Sequence, residues 1–463
     1  MPPVPDSAPA APANGWRTFL WLWGSQALSV LGGGLSGFAL NIYLTQTRFP
    51  LDTQRAELAH ALSLTALGWT FAALVGAPLA GALADRWDRR RMMLACDLLG
   101  ALALLGGVAL ITLTTPPVWA LVLFTATLGL IGTFHGSAFD TSYAVLVPRA
   151  QLPRANGMMQ TIWSLSGLLS PALAAFLIGL PALARTGGGP AWLAGVRDGV
   201  PLAFAIDAAT FVLAALVVWR LSIPTPLRRD WRGGAAGPRP TLWQDMRFGW
   251  RFIFARLPLL HLLLTFAAVN LLTSGVGVLH PLLVRFALGT DAAAHGLSQQ
   301  AALATLWTAF SAGGLAGGML VSTWGGLKRR RVLGVLVPAL LASAAHAASG
   351  VLGALVPVCL AVACFGLMMP LMNAHSQAIW QAQVPPDMQG RVFSVRRLLA
   401  QFTGPVSTAL AGLLAARYAP GSLLLWSGLL LVLVAAVGLL NPVLRRVDTP
   451  LTDASGITAA PGD

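Results

Sequence analysis

The chain has 463 residues, of which 56% are hydrophobic and only 10% charged, and its mean hydropathy is +0.71. A water-soluble fold of this length has no use for so much apolar side chain, so lipid is the solvent for most of it. The formal net charge of +14 would point to nucleic acid in a soluble protein, but here the placement of each charge decides the matter.

A helix needs about 20 mostly apolar residues to cross a bilayer, and about twelve such stretches follow one another. In the first half they run over 16–45, 58–84, 92–113, 118–147, 157–180 and 200–220. In the second half they run over 258–288, 299–324, 332–352, 355–384, 392–416 and 421–444. The expected fold class is all-α, a polytopic membrane protein with twelve transmembrane helices in two pseudo-symmetric six-helix bundles. Residues 16–220 and 257–446 form the bundles, 221–256 a cytoplasmic linker, and 1–15 and 447–463 cytoplasmic tails. The first 15 residues lack the positive region of a signal peptide and no small-residue cleavage site follows, so the first run reads as an uncleaved span. In the linker, the Pro-, Gly- and Arg-rich stretch 224–240 cannot form a spanning helix. Residues 241–256 interleave Trp243, Phe248, Trp250 and Phe252 with Arg247, Arg251 and Arg256. That pattern suits either an amphipathic helix on the inner membrane surface or the start of the seventh span.

Of the 30 Lys and Arg, 24 fall in loops and helix ends of one parity, and six (Arg48, Arg55, Arg185, Arg197, Arg285, Arg417) fall in the other. By the positive-inside rule the basic side is cytoplasmic and carries both termini. The same rule explains the basic groups without a nucleic-acid partner. Cys96, Cys359 and Cys364 all lie in apolar runs and have neither disulfide nor metal-ligand spacing. There is no HExxH, nucleophile elbow or phosphate loop, so neither an enzyme nor a cofactor or metal is expected.

Residues 81–91 set Gly81, Asp85, Arg86, Asp88, Arg89, Arg90 and Arg91 between two apolar runs, and residues 317–331 repeat the plan more weakly, with Ser322, Lys328, Arg329, Arg330 and Arg331. Two further segments match each other. Val147-Pro148-Arg149 leads through Asn156-Gly157 to Ser170-Pro171, and Val384-Pro385-Pro386-Asp387 leads through Gly390-Arg391 to Gly404-Pro405. The chain reads as a duplication. The 81–91 pattern resembles the loop between the second and third helices of the major facilitator superfamily, and the paired segments are similar to its drug, macrolide and siderophore exporter branch.

The resemblance implies a secondary active transporter of the plasma (inner) membrane, working by alternating access about a midplane site. Its partners would be a hydrophobic or amphiphilic small-molecule substrate moved outward, the lipid bilayer and protons for antiport, with a monomer and no nucleic acid. It also implies a cytoplasmic gating motif of Gly81, Asp85, Arg86, Asp88 and Arg89, with Ser322, Arg329, Gly390 and Arg391. Asp85 would meet the N-terminus of the eleventh helix, where a negative charge is favoured. The arginines also read simply as topology anchors. Departures matter too. Ser322 stands where the first copy has an aspartate, Ser170-Pro171 lacks the usual flanking glycines, and Gly132 to Gly136 occupies the place of the fourth helix's proton-linked arginine. Proton coupling thus follows from the branch rather than from these residues, and an importer or a transport-inactive sensor or scaffold stands as the alternative.

Ionisable residues within spans are costly and point to function. Asp97, Asp140 and Asp207 are the candidates for a charge relay or proton coupling. Asp97 and Asp140 lie near the cytoplasmic ends, within reach of the motif arginines, as a relay or as simple pairing. Asp207 lies about two turns inside its span, as either a desolvated proton-exchanging acid or a solvated residue in a vestibule. His135, Asn270, Asn373, His375, Gln377 and Gln401 either line a cavity or bond across helices. Asn373 and Gln377 share a helix face that His375 does not. Pro171 and Pro405 are candidate bending points. Gly33 with Gly37, Gly313 with Gly317 and Gly314 with Gly318 have the spacing of close helix packing. Trp163, Trp307, Trp380 and the methionines near 158 and 368–372 suit either an adaptable apolar site or lipid contact and core.

Overall fold

A computed structural model describes residues 14–84, 87–147, 152–196, 198–223, 250–327, 329–384 and 389–447, and all regular structure among them is helical. The first half contains α1 (Gly15–Ile42), α2 (Arg55–Ala84), α3 (Arg89–Leu113), α4 (Val118–Leu146), α5 (Leu152–Arg185) and α6 (Val200–Arg220). The second contains α7 (Leu257–Thr273), α8 (Val276–Phe286), α9 (Gly289–Ala294), α10 (Gln299–Trp324), α11 (Arg331–Ser349), α12 (Leu355–Gln383), α13 (Gln389–Ala415), α14 (Pro420–Leu440) and the short α15 (Pro442–Arg445). Among the described residues eleven stretches are long and apolar enough to cross a membrane, and Phe402–Ala415 within α13 is a shorter apolar one. With α7 and α8 counted as one span, this is the twelve-helix architecture that the hydropathy pattern predicts.

Outward-facing side chains confirm the solvent. Leu102, Leu113, Trp119, Phe176, Leu360, Trp426 and Leu440 are each more than half exposed, a density of bare apolar surface that water would not tolerate. The inner faces collect into separate cores. Phe19, Leu22, Met92, Met93, Phe139 and Leu146 pack together in the first half. Leu259, Leu262, Val335, Ile379, Trp380 and Leu431 do so in the second.

The seventh span departs from the continuous helix expected over 258–288. It breaks between Thr273 and Val276, where Ser274 N–H closes α7 on Asn270 O. Gly275 lies against α13, and a Cβ there would press on Ala411 Cβ. Pro281 inside α8 removes one more backbone donor.

Two compact units emerge, Met1–Trp231 with Val284–Thr308, and Arg232–Leu283 with Ala309–Asp463. In the first, α2 packs on α4, α3 on α6, and α1 on α5 and α6. In the second, α11 packs on α12 and α14, and α7 on α13. A shared device sits inside each. A Cβ on Gly68 would strike Val122 O of α4, and one on Gly129 would strike Trp69 O of α2. In the second unit Gly313 meets Ala363 O, Gly317 meets Leu367 O, and Gly366 meets Phe310 O, so α10 and α12 touch backbone to backbone in the same way. Gly33, Gly37 and Gly318 face open space instead. Pro171 and Pro405 lie inside α5 and α13, as do Pro338 in α11 and Pro370 in α12.

Gly317→Leu should cost about 1–3 kcal/mol by forcing α10 off α12. Gly37→Leu should be nearly neutral. Thermal unfolding in detergent checks the pair, and equal melting temperatures would contradict the packing described.

Candidate functional site

Among the described residues, four groups of polar side chains lie among these apolar helices. The first is at the boundary of α2 and α3. Asp88 is the N-cap of α3, its Oδ1 accepting from Arg91 N–H at 3.0 Å. Arg89 is buried and its Nε donates to Ala84 O, the last carbonyl of α2, at 3.4 Å. Arg90, which the sequence reading treated as a topology anchor, donates from Nε to Val218 O at 3.2 Å and from Nη2 to Trp219 O. A cation on the C-terminal carbonyls of α6 meets the negative end of that helix dipole. Gly81 lies in the last turn of α2, while Asp85 and Arg86 fall outside the described residues. In the second half, Ser322 is exposed and bonds back to Gly318 O at 2.8 Å. Arg329 is exposed, and Gly390 and Arg391 lie in the first turn of α13. Here the turn is made differently. Gly325 and Gly326 have φ of +79° and +71°, a region open to glycine, and His375 holds the loop. Its Nε2 accepts Leu327 N–H at 2.8 Å while Nδ1 lies 2.7 Å from Leu371 O. Both ring nitrogens are therefore occupied by structure.

The second group pairs residues that the sequence placed in different classes. His135 Nε2 on α4 lies 3.2 Å from Asp97 Oδ1 on α3, both buried, although without the alignment of a hydrogen bond. Asp140 is exposed further along α4.

The third group surrounds Asp207 on α6, which is 1% exposed. In this structure the carboxyl is withdrawn from solvent. Ser36 Oγ of α1 donates to Oδ2 at 2.5 Å, and Thr210 Oγ1 lies 3.3 Å from Oδ1. Gly32 makes the space, since a Cβ there would collide with Asp207 Oδ1 and Thr210 Oγ1. No Lys, Arg or His nitrogen comes within 4 Å of this carboxylate among the described residues. The sequence singled out Asp207, but not the hydroxyls and glycine that enclose it, because α1 is far away along the chain.

The fourth group is on α7, α12 and α13. Asn270, Asn373, Trp380 and Arg396 line a cavity of about 120 Å³. Arg396 Nη1 donates to Gln377 Oε1 at 2.7 Å, and Asn373 lines the cavity beside the same arginine. Gln401 lies further along α13. Of the aromatics and methionines, Trp163 is exposed, Trp307 stands edge-on to Phe38 at 5.3 Å, and Trp380 and Met372 are buried in the core of the second unit.

Within the first unit, Arg285 is a further residue that sequence reasoning passed over. It donates to the carbonyls of Thr45, Phe49 and Pro50, beyond the π-helical turn Tyr43–Arg48 that prolongs α1, and lies 3.6 Å from Asp52 Oδ1.

Comparison with known proteins agrees with this architecture. The chain is 26% identical to "Macrolide efflux protein A" of Streptococcus pyogenes over 445 residues, covering 94% of this chain and 98% of that one. It is 25% identical over 419 residues to "Multidrug efflux pump Tap" of Mycolicibacterium fortuitum, covering 88% and 93%. Among solved structures, a bacterial homologue of the human lysosomal transporter Spinster matches with a TM-score of 0.62 at 17% identity, covering 94% of this chain and 98% of that one. A peptide transporter, POT, in complex with sulfate matches with a TM-score of 0.64 at 12% identity, covering 93% and 95%. These likenesses extend the fold across nearly the whole chain. The Major Facilitator Superfamily model itself matches residues 22–408, and the chain, an integral multi-pass membrane transporter, belongs to that family.

Proposed function

We propose that this transporter exports hydrophobic or amphiphilic small molecules across the plasma membrane by alternating access, in exchange for protons, with Asp207 as the proton-carrying group. Export is supported by the efflux names of the relatives that align over most of the chain. Proton exchange is supported by one observation above the others, a carboxyl group 1% exposed between α1 and α6, hydrogen-bonded by hydroxyls and with no cation against it among the described residues. An ionised carboxylate is expensive in a dry site without a counter-charge. Binding a proton removes that cost, and opening the site to water allows its release. Occupancy by a proton and access from one side of the membrane are then linked.

The basic side, with both termini, faces the cytoplasm in this reading. Gly81, Asp85, Arg86, Asp88 and Arg89, with Ser322, Arg329, Gly390 and Arg391, form the gate on that side. Asp88 and Arg89 support it structurally, as the N-cap of α3 and a cap on the end of α2. Asp97 with His135 is a second buried acid near the gate, and Asp140 shares α4 with His135.

Proton release on substrate addition tests the central residue. Purified wild-type protein in weakly buffered detergent should release about one proton per chain on binding a transported dye, read with a pH indicator, and Asp207→Asn should release none. Unchanged release from Asp207→Asn would reject Asp207 as the carrier. For the gate, Asp85→Asn or Arg89→Ala should slow dye efflux from cells about tenfold or more while dye binding to purified protein stays within about twofold, since a gate contributes to switching rather than to affinity. Parallel loss of binding, or no loss of efflux, would contradict it.

A further inference from the structure

Resting on that transport reading, we propose that Arg396, with Asn270 and Asn373, recognises the acidic headgroup of an amphiphilic substrate.

The direction of the side chain is the first argument. Arg396 is among the basic residues counted toward the cytoplasmic boundary, where an arginine is expected to snorkel toward water. It turns inward instead. Nη1 donates to Gln377 Oε1 at 2.7 Å, Nη2 to Ser376 Oγ at 3.4 Å, and Cζ lies 5.3 Å from the centre of the Trp380 ring. Ser376 and Trp380 are 0% and 1% exposed. This end of the side chain is thus fixed by the interior of the second unit.

Its charge is the second. Gln377, Ser376 and Trp380 are all neutral, and no carboxylate oxygen lies within 4 Å of the guanidinium among the described residues. The two hydrogen bonds leave further N–H donors unspent. Arg396 is half-buried; a cation partly withdrawn from water without an anion is costly, and an acidic ligand would supply what the described residues do not.

The space beside it is the third. Asn270 from α7 and Asn373 from α12 stand with Arg396 around a cavity of about 120 Å³, walled on the apolar side by Leu263, Phe266 and Trp380. A carboxylate or phosphate headgroup fits such a volume. Drug-sized pockets begin at roughly 300 Å³, so only the headgroup would be enclosed, with the apolar body left outside. The planar guanidinium offers paired donors to two acid oxygens, and the asparagine carboxamides can donate alongside. A cationic headgroup would meet like charge, so the site selects by sign.

The test uses full-length protein in neutral detergent, with dodecanoate and dodecyltrimethylammonium as chain-matched probes titrated calorimetrically. Wild type should bind dodecanoate the more tightly. Arg396→Gln should weaken dodecanoate about tenfold or more, as expected for a lost charge-assisted hydrogen bond, with dodecyltrimethylammonium unchanged or tighter. Arg396→Lys should recover part of the loss, and Asn373→Leu, which keeps the charge, should weaken dodecanoate severalfold even where Arg396→Gln fails to fold. Equal affinity of wild type for both probes, or native-like melting of Arg396→Gln with undiminished dodecanoate binding, overturns the proposal. So does displacement of dodecanoate by phosphatidylglycerol together with no movement of dodecanoate across liposomes, which would make the site a lipid anchor. Cationic dye transport with no Arg396-dependent anion binding would sink this site and leave the exporter reading standing. Arg396-dependent binding with no transport of any probe would do the reverse.

Discussion

Hydrocarbon gives a buried polar group nothing to bond to, and that single constraint accounts for most of what this chain does with its few polar residues. Backbone groups are satisfied by helix formation. Hydroxyls are satisfied one turn back, as Thr65 does on Ala61 O, Ser142 on Ala138 O and Ser343 on Ala339 O. Helix ends inside the protein are closed by side chains. Arg90 caps α6, Asp88 caps α3, and His375 ties down the Gly325-Gly326 turn. With so much settled locally, the helices need little from one another except close approach, which the glycines of α2, α4, α10 and α12 supply.

The same constraint singles out the residues that are left. Among the described residues, Asp207 has hydroxyl partners but no counter-charge, Asp97 has a misaligned histidine beside it, and Arg396 has neutral partners beside a cavity. Each is an expense that a purely structural protein of this class would have removed by substitution, since apolar replacements are cheap in lipid. The acid lies in the first unit and the base in the second. If the two proposals hold, the proton site and the anion-recognition site lie in separate units.

Much of this was legible in the sequence, because spans and charge placement are one-dimensional properties. Twelve apolar runs give the all-helical membrane class directly. The broken seventh span was not legible, since hydropathy runs unchanged through Thr273–Val276 and does not register that only a residue without a Cβ fits against Ala411 of α13 at position 275. The pairing of Asp97 with His135, and of Asp207 with Ser36, likewise depends on which helices are neighbours. Arg396 was hidden by a rule that works on average. A basic residue near a span end is nearly always a topology signal, and only the geometry of Gln377, Ser376 and Trp380 separates this one from its neighbours. His375, left open in the sequence between lining a cavity and bonding structurally, has its ring on Leu327 N–H and Leu371 O.

The most direct measurement is transport by purified protein in liposomes across an imposed pH gradient. If the chain is a proton-coupled exporter, an amphiphilic dye should accumulate on the acidic side against its own gradient, and a protonophore should collapse that accumulation. Dye movement indifferent to the pH gradient, or no movement above protein-free liposomes, would contradict the account.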